Sequence, residues 1–199
     1  MTTILAIDSA TGPCSVALWK DGKVAAYLEN LKPSAQSVTL MPMVEQVLKQ
    51  CGIEYKDLSH VAATIGPGSF TGIRIALAAA RGIAFAANLK TMGFTTLEVM
   101  AFAVRTQKTP VLPVLNAGKS EHYYQVFETV PQFKPSGQTK LGTLEDAMVL
   151  AKSKEAMVIE TFPRADVLAE LAATHPATAQ ALTPFYIRPP DAKLPMQKP

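Results

Sequence analysis

Residues 61–87 read VAATIGPGSFTGIRIALAAARGIAFAA: an apolar strand, a Gly-Pro-Gly turn, and a helical stretch whose last eighteen residues carry only Arg74 and Arg81 as charges. A helix that is apolar almost all round has to be covered on both sides. The sheet it has just left can cover one side, but the other needs a second helix, a ligand or another chain. No other feature limits so strongly what this chain can fold into and what it can meet.

Three strand signals precede it, ILAID (4–8), CSVALW (14–19) and KVAAYL (23–28), with turn residues between them. Asp21-Gly22 tolerates the positive φ of a two-residue hairpin turn, so the second and third strands are expected to pair antiparallel. Ser37–Cys51 reads as a helix, because Leu40, Met41, Met43, Val44, Val47, Leu48 and Cys51 fall on one arc of roughly 160° at 100° per residue, and Gly52 supplies the stop. That arc is broader than a single core stripe requires. Pro42 inside it lacks a backbone donor and is expected to bend the helix or to mark its first turn. His60–Ile65 has the unbroken apolar character of a central strand, which completes a β-β-β-α-β-α unit. A short segment around Met92–Phe94 leads to a helix over 97–105, with Thr95 or Thr96 as N-cap and Glu98 in its first turn.

Thr106–Thr109 reads as a linker, after which the pattern restarts on a smaller scale. Strands are expected over 111–116 and 123–130, then a helix over 144–152, a strand over 156–160 and a helix over 165–174. Residues 131–143 are polar, with Gly137 and Gly142, and suit a loop or an edge strand. The closing stretch TPFYIRPPDAKLPMQKP holds five prolines and cannot be regular helix. The expected organisation is an N-terminal unit, 1–105, and a smaller α/β half with a Pro-rich tail, 106–199.

Recognisable chemistry is sparse. Asp8 ends an apolar strand just before Ser9, Thr11 and Gly12, where a magnesium-binding carboxylate of a phosphotransfer site would stand, and where an ordinary Asx-turn would also stand. In GPGSFTG (66–72), Gly66, Gly68, Ser69 and Thr71 can present backbone N–H groups to a phosphate at a helix N-terminus. The same residues equally supply an N-cap and a tight turn, and no Lys follows to make a Walker motif. His60, His122 and His175 show no metal-ligand spacing, there is no GxSxG elbow, and Glu29, Glu45, Asp57, Glu98, Glu121 and Glu160 read as solvated surface charges. Arg74 and Arg81 share one side of their helix and suit either acidic groups of a partner or a snorkelling surface role.

Composition excludes more than it proposes. The net charge of +3 and 19 scattered basic residues form no stripe for direct nucleic-acid binding. Arg74 and Arg81 interrupt the longest apolar stretch, and MTTILAIDSA lacks a basic n-region, so a cytosolic chain without a membrane segment is expected. Cys14 and Cys51 lack CxxC spacing and are expected to be reduced thiols.

With ILAIDSATGPCSVAL, MPMVEQVL and GPGSFTGIRIALAAARGIA in this order over residues 3–105, and PFYIRPPDAK near the end, the chain resembles the TsaB (YeaZ) family of the bacterial tRNA threonylcarbamoyladenosine pathway. The resemblance implies an α/β fold of the ASKHA kind (actin-like ATPase, ribonuclease-H-like), built from two tandem halves with the second reduced. It implies a non-catalytic relative of TsaD that pairs with TsaD and works alongside the ATPase TsaE. It would meet tRNA only through the complex, form a homodimer when alone, and need no cofactor or metal of its own, ATP or ADP entering only at a subunit interface. Gln36 stands where many relatives carry His, and Asn116-Ala117-Gly118-Lys119 where they read Asp-Ala-Arg.

Carried over by position, the partner face would run along the two over-apolar helices. Its residues would be Leu40, Met41, Met43, Val44, Val47 and Leu48 on the first, with Ile73, Arg74, Leu77, Ala80, Arg81 and Phe85 on the second. On this reading Leu77→Glu or Val44→Arg should leave the monomer folded and abolish pairing. The competing reading is an ASKHA-type ATPase or phosphotransferase using Asp8 and the GPGSFTG turn. A glycoprotease reading finds no nucleophile, base or metal in any recognisable arrangement.

Overall fold

The computed structural model describes residues 2–32 and 35–187. Strands β1 (Ile4–Asp8), β2 (Cys14–Lys20) and β3 (Lys23–Asn30) open the chain, followed by α1 (Gln36–Gln50), β4 (His60–Thr64), α2 (Phe70–Ala87), β5 (Lys90–Phe94) and α3 (Thr96–Phe102). These build a five-stranded sheet in the order β3-β2-β1-β4-β5, with β1, β4 and β5 parallel and the β1–β2–β3 meander antiparallel. Asp21 and Gly22 make the hairpin turn at φ 53° and 79°, the mirror-image conformation that matches strand twist.

The second part repeats the plan with less. Strands β6 (Val111–Gly118), β7 (Glu121–Glu128) and β8 (Lys134–Thr143) form an antiparallel meander, and β9 (Met157–Ile159) adds parallel to β6 in the order β8-β7-β6-β9. Helix α4 (Leu144–Ser153) packs on the outer face of this sheet, while α5 (Ala165–Thr174) packs on the first sheet against β1 and β2. The architecture is the expected pair of ribonuclease-H-like α/β halves with the second reduced. Helix α5 completes the core of the first half from across the expected division at residue 105. The segment 131–143 is largely the edge strand β8, and its mostly exposed side chains explain why no alternation of apolar residues marks it.

Strand periodicity distributes the core over two faces. In β1, Leu5 and Ile7 point to α1 and α2, whereas Ile4 and Ala6 point to the layer of α3 and α5 that separates the two sheets. Thr95 is the N-cap of α3, with Glu98 N donating to its hydroxyl at 3.1 Å and Thr95 N reaching back to the Glu98 carboxylate at 3.4 Å. Pro42 does not mark the first turn of α1, which begins six residues earlier at Gln36, where the Gln36 amide donates to Gly12 O at 2.5 Å.

Helix α2 is covered on two flanks by its own chain. Ile73, Ala76, Leu77, Ala80, Ile83 and Ala84 face the sheet and α1. On the other flank runs the segment 180–186: Gln180 bridges Gly93, Phe185 N donates to Ile65 O at 2.7 Å, Leu182 is buried, and the Arg81 guanidinium donates to Leu182 O. The Pro-rich tail beyond Ile187 lies outside the described residues.

The turn before α2 is packed against the β1–β2 loop so closely that only glycine fits. A Cβ on Gly68 would lie 2.2 Å from Ala10 O, and one on Gly72 would lie 2.0 Å from Ser9 O. Gly68→Ala or Gly72→Ala should therefore cost about 2–4 kcal/mol in urea unfolding, because backbone rather than a flexible side chain has to yield. Gly82, whose Cβ would meet nothing within 4 Å, should instead gain about 0.5–1 kcal/mol as Gly82→Ala. Equal effects at the three positions would contradict this packing.

Candidate functional site

Two places descend from the sequence expectations: the loop cluster around Asp8 and the outward side of α1 and α2. At the first, Asp8 is 1% exposed at the end of β1. Its Oδ1 accepts from the Thr64 hydroxyl and from Ala10 N at 3.3 Å, which is the Asx-turn arrangement. Burial pushes its carboxyl up to about 7 against the pull of those two hydrogen bonds. A metal-binding carboxylate has to reach the cleft as an anion; Asp8 is turned into the fold and desolvated.

Two donors of the GPGSFTG segment, and one of its acceptors, are engaged within the fold. Ser69 N donates to Ala10 O at 2.7 Å, Gly72 N to the Ser69 hydroxyl at 3.2 Å, and Ser9 Oγ to Gly72 O at 2.7 Å. Ser69 is thus the N-cap of α2, Gly66 packs under Phe185 O, and Thr71 is exposed. Beside the turn, a cleft of about 300 Å³ opens toward the second half, lined by Ala10, Thr11, Gly68, Ser69, Asn116 and Tyr123. The structure brings Ser69 and Gly68 to this cleft and keeps Asp8 and Gly66 out of it.

The helix face requires a correction. Leu40, Met43, Val44, Val47 and Leu48 of α1 and Ile73, Leu77 and Ala80 of α2 are buried in this chain's own core, so they form no docking surface. Hydrophobicity marks residues that avoid water without saying which of two apolar sides meets the sheet. The larger side chains went inward, where each buried Leu or Ile removes the most area from water. Leu77→Glu or Val44→Arg would accordingly put an unpaired charge in the core and unfold the chain rather than spare it.

What α2 presents outward is a stripe of small residues. Ala78, Gly82 and Ala86 are exposed, Ile75 and Ala79 half-buried, and Phe85 stands 91% exposed at the edge. Between this stripe and Met41 of α1, itself 39% exposed, lies an apolar groove of about 570 Å³ with Tyr55 at its end. Met41 and Phe85 remain on the outward side as expected, and so do Arg74 and Arg81, but Arg81 is held by Leu182 O and only Arg74 keeps its fork free of the backbone. Helix α2 is long and apolar enough to cross a membrane, yet 39% of its residues are packed inside the fold.

Glu98, read as a surface charge, is 5% exposed, and burial raises its carboxyl above the usual range while Thr178 and Thr95 N pull it down. The capping-box spacing from Thr95 was the signal that could have placed it.

Two α/β sheets of related plan, the second reduced, with Asp8 turned inward and an apolar groove beside α1 and α2, place the chain among ASKHA-type α/β proteins. The family model for TsaD, tRNA N6-adenosine threonylcarbamoyltransferase, matches residues 33–192. Tested against curated proteins, the chain is 41% identical over 127 residues to the tRNA threonylcarbamoyladenosine biosynthesis protein TsaB of Escherichia coli, covering 63% of this chain and 54% of that relative. It is 31% identical over 162 residues to TsaB of Buchnera aphidicola subsp. Schizaphis graminum, covering 78% and 77% of the two chains. The match thus spans about half of the length of the E. coli relative. YeaZ from Pseudomonas aeruginosa superposes with a TM-score of 0.79 at 24% identity over 94% of this chain and 100% of that one, which shows the shared fold. The chain belongs to the TsaB family.

The buried carboxyl gives a pH signature. Asp8 binds its proton more readily folded than unfolded, so its contribution to stability is complete below about pH 4 and is lost as pH rises through about 7. Asp8→Asn, which mimics the protonated acid, should remove this dependence. Urea unfolding near pH 4.5 should find the two chains similar, and near pH 8.5 the variant should be more stable, by on the order of a few kcal/mol. A wild-type chain that keeps its stability relative to Asp8→Asn across that range would show the carboxylate to be solvated or ligand-bound.

Proposed function

We propose that this chain is a non-catalytic subunit that activates a TsaD-like catalytic subunit in installing threonylcarbamoyl on the tRNA adenosine beside the anticodon. The observation that carries the reading is the outward side of α2: a stripe of Ala78, Gly82 and Ala86 flanked by Phe85 and Met41, next to an apolar groove. Small residues let a partner helix approach closely, and the groove walls supply apolar area once water is excluded. An interface of standard size needs about 800 Å² from each side. Membership of the TsaB family and the match to the TsaD family model support a TsaD-like partner, and the likeness of the two subunits favours pairing of similar halves. The TsaE-like ATPase and the tRNA then act on the assembled complex, and the same face closes a homodimer when the catalytic subunit is absent.

The second reading, a nucleotide-binding enzyme, has the 300 Å³ cleft beside the N-terminus of α2 in its favour. Against it stand the burial of Asp8 and the engagement of Ser69 N and Gly72 N within the fold. Calorimetry separates the two: the scaffold reading expects no heat of binding at millimolar ATP with the isolated chain, and saturable binding there would favour the enzyme.

Surface variants test the docking face directly. Ala78→Glu and Gly82→Glu project a charge from exposed positions and should leave stability within about 0.5 kcal/mol of wild type. Co-purification with the TsaD-like subunit should nevertheless be lost, since a buried unpaired carboxylate costs several kcal/mol. Retained pairing by the folded double variant would move the interface elsewhere.

A further inference from the structure

At the N-terminal end of α2 the exposed surface changes character. Phe70, 46% exposed, stacks on Tyr186, 38% exposed, with ring centroids 5.5 Å apart and planes 25° from parallel. The Arg74 guanidinium carbon lies 3.6 Å from the centre of the Phe70 ring, and Arg74 Nε donates to the Tyr186 hydroxyl at 3.1 Å. Tyr186 is in turn held in place by its neighbours, since Phe185 N donates to Ile65 O and Leu182 is buried. An exposed arginine ordinarily samples many rotamers; this one is fixed by a ring beneath it and a hydroxyl at Nε. Among the described residues its two Nη nitrogens have no hydrogen-bond partner. Arg81, seven residues along the same helix, differs in kind, because its Nε and Nη2 both donate to Leu182 O and serve the fold.

We propose that Phe70, Arg74 and Tyr186 form a preassembled ledge that reads a carboxylate on the TsaD-like partner, an Asp or Glu side chain gripped by the free Nη pair of Arg74. This deepens the docking reading above and rests on it. The chemistry favours that occupant: a planar cation with two parallel donors matches a carboxylate in a bidentate fork, and the aromatic rings shield the pair from water. The conformational entropy an arginine gives up on binding has here already been given up on folding, which is how aromatic and arginine side chains become the residues that dominate an interface. The ledge adjoins the small-residue stripe on the same helix, so a partner helix seated on the stripe would bring its end to Arg74.

The test is a titration of the full chain with the TsaD-like subunit, at low and at high salt, with each variant first checked for an unchanged thermal transition. Arg74→Met, which keeps the aliphatic stem on the ring, should weaken binding by about ten- to a hundredfold and flatten the salt dependence. Arg74→Lys should restore the charge without the fork and recover only part of the loss. Tyr186→Phe, which keeps the stack and frees Nε, should weaken binding about three- to tenfold. If wild type binds and Arg74→Met binds equally well, or Arg74→Lys binds like wild type, the ledge is overturned while the docking face stands. If wild type itself does not bind the subunit, the docking reading falls and the ledge with it.

Discussion

The structure depends on how α2 divides its apolar surface. An eighteen-residue helix with only two charges cannot present itself whole to water, and it does not: Ile73, Leu77, Ala80, Ile83 and their neighbours go into the sheet and α1. Burying such side chains is worth roughly 1.5–3 kcal/mol for each Leu or Ile, so the large residues settle the helix's rotation. Along the middle of the helix what remains outside is mostly alanine and glycine, which lose least by exposure, with Phe70 and Phe85 exposed toward its two ends. The groove beside Met41 and the bare ring of Phe85 follow from the same rotation.

The second determinant is the chain's return to α2 near its end. Residues 180–186 pair with β5 at Gly93, cross Ile65 and lie along the Arg74–Arg81 flank. They crowd the turn before α2 from one side, with Phe185 O over Gly66, while the β1–β2 loop crowds it from the other at Gly68 and Gly72. A turn that looks built for phosphate is thereby filled with protein. Its glycines serve close backbone approach, and Ser69 serves as a helix cap.

Local chemistry was legible in the sequence wherever it depends on neighbours along the chain. The Asp21-Gly22 hairpin, the N-cap before α3 and the strand ILAID all appear where the residues place them, because each rests on turn geometry, capping or a short apolar run. The reduced second half was legible as a pattern that restarts with fewer elements. Which side of α1 and α2 faces outward was not legible at residue level, because their 3.6-residue period shows two apolar sides without showing which meets the sheet. Leu77 and Val44, expected on the outward side, are buried in the core as a result. Arg74 and Arg81 look alike in sequence, and only the return of Leu182 and Tyr186 from a hundred residues away tells them apart. Asp8 admitted a ligand and an Asx-turn, with the turn the favoured reading, and its burial and the bond from Ala10 N agree with the turn.

The central claim is that the small-residue side of α2 faces water in the lone chain and is covered by the catalytic subunit. Hydroxyl-radical footprinting of Met41 and Phe85 reads that side directly. In the chain diluted until its mass is that of a monomer, both side chains should be oxidised readily, and addition of the TsaD-like subunit should slow both by about tenfold or more as water is excluded from the interface. Labelling rates that do not change on mixing, in a sample shown to contain the complex, would contradict the account. Protection already present in the monomer would contradict it equally.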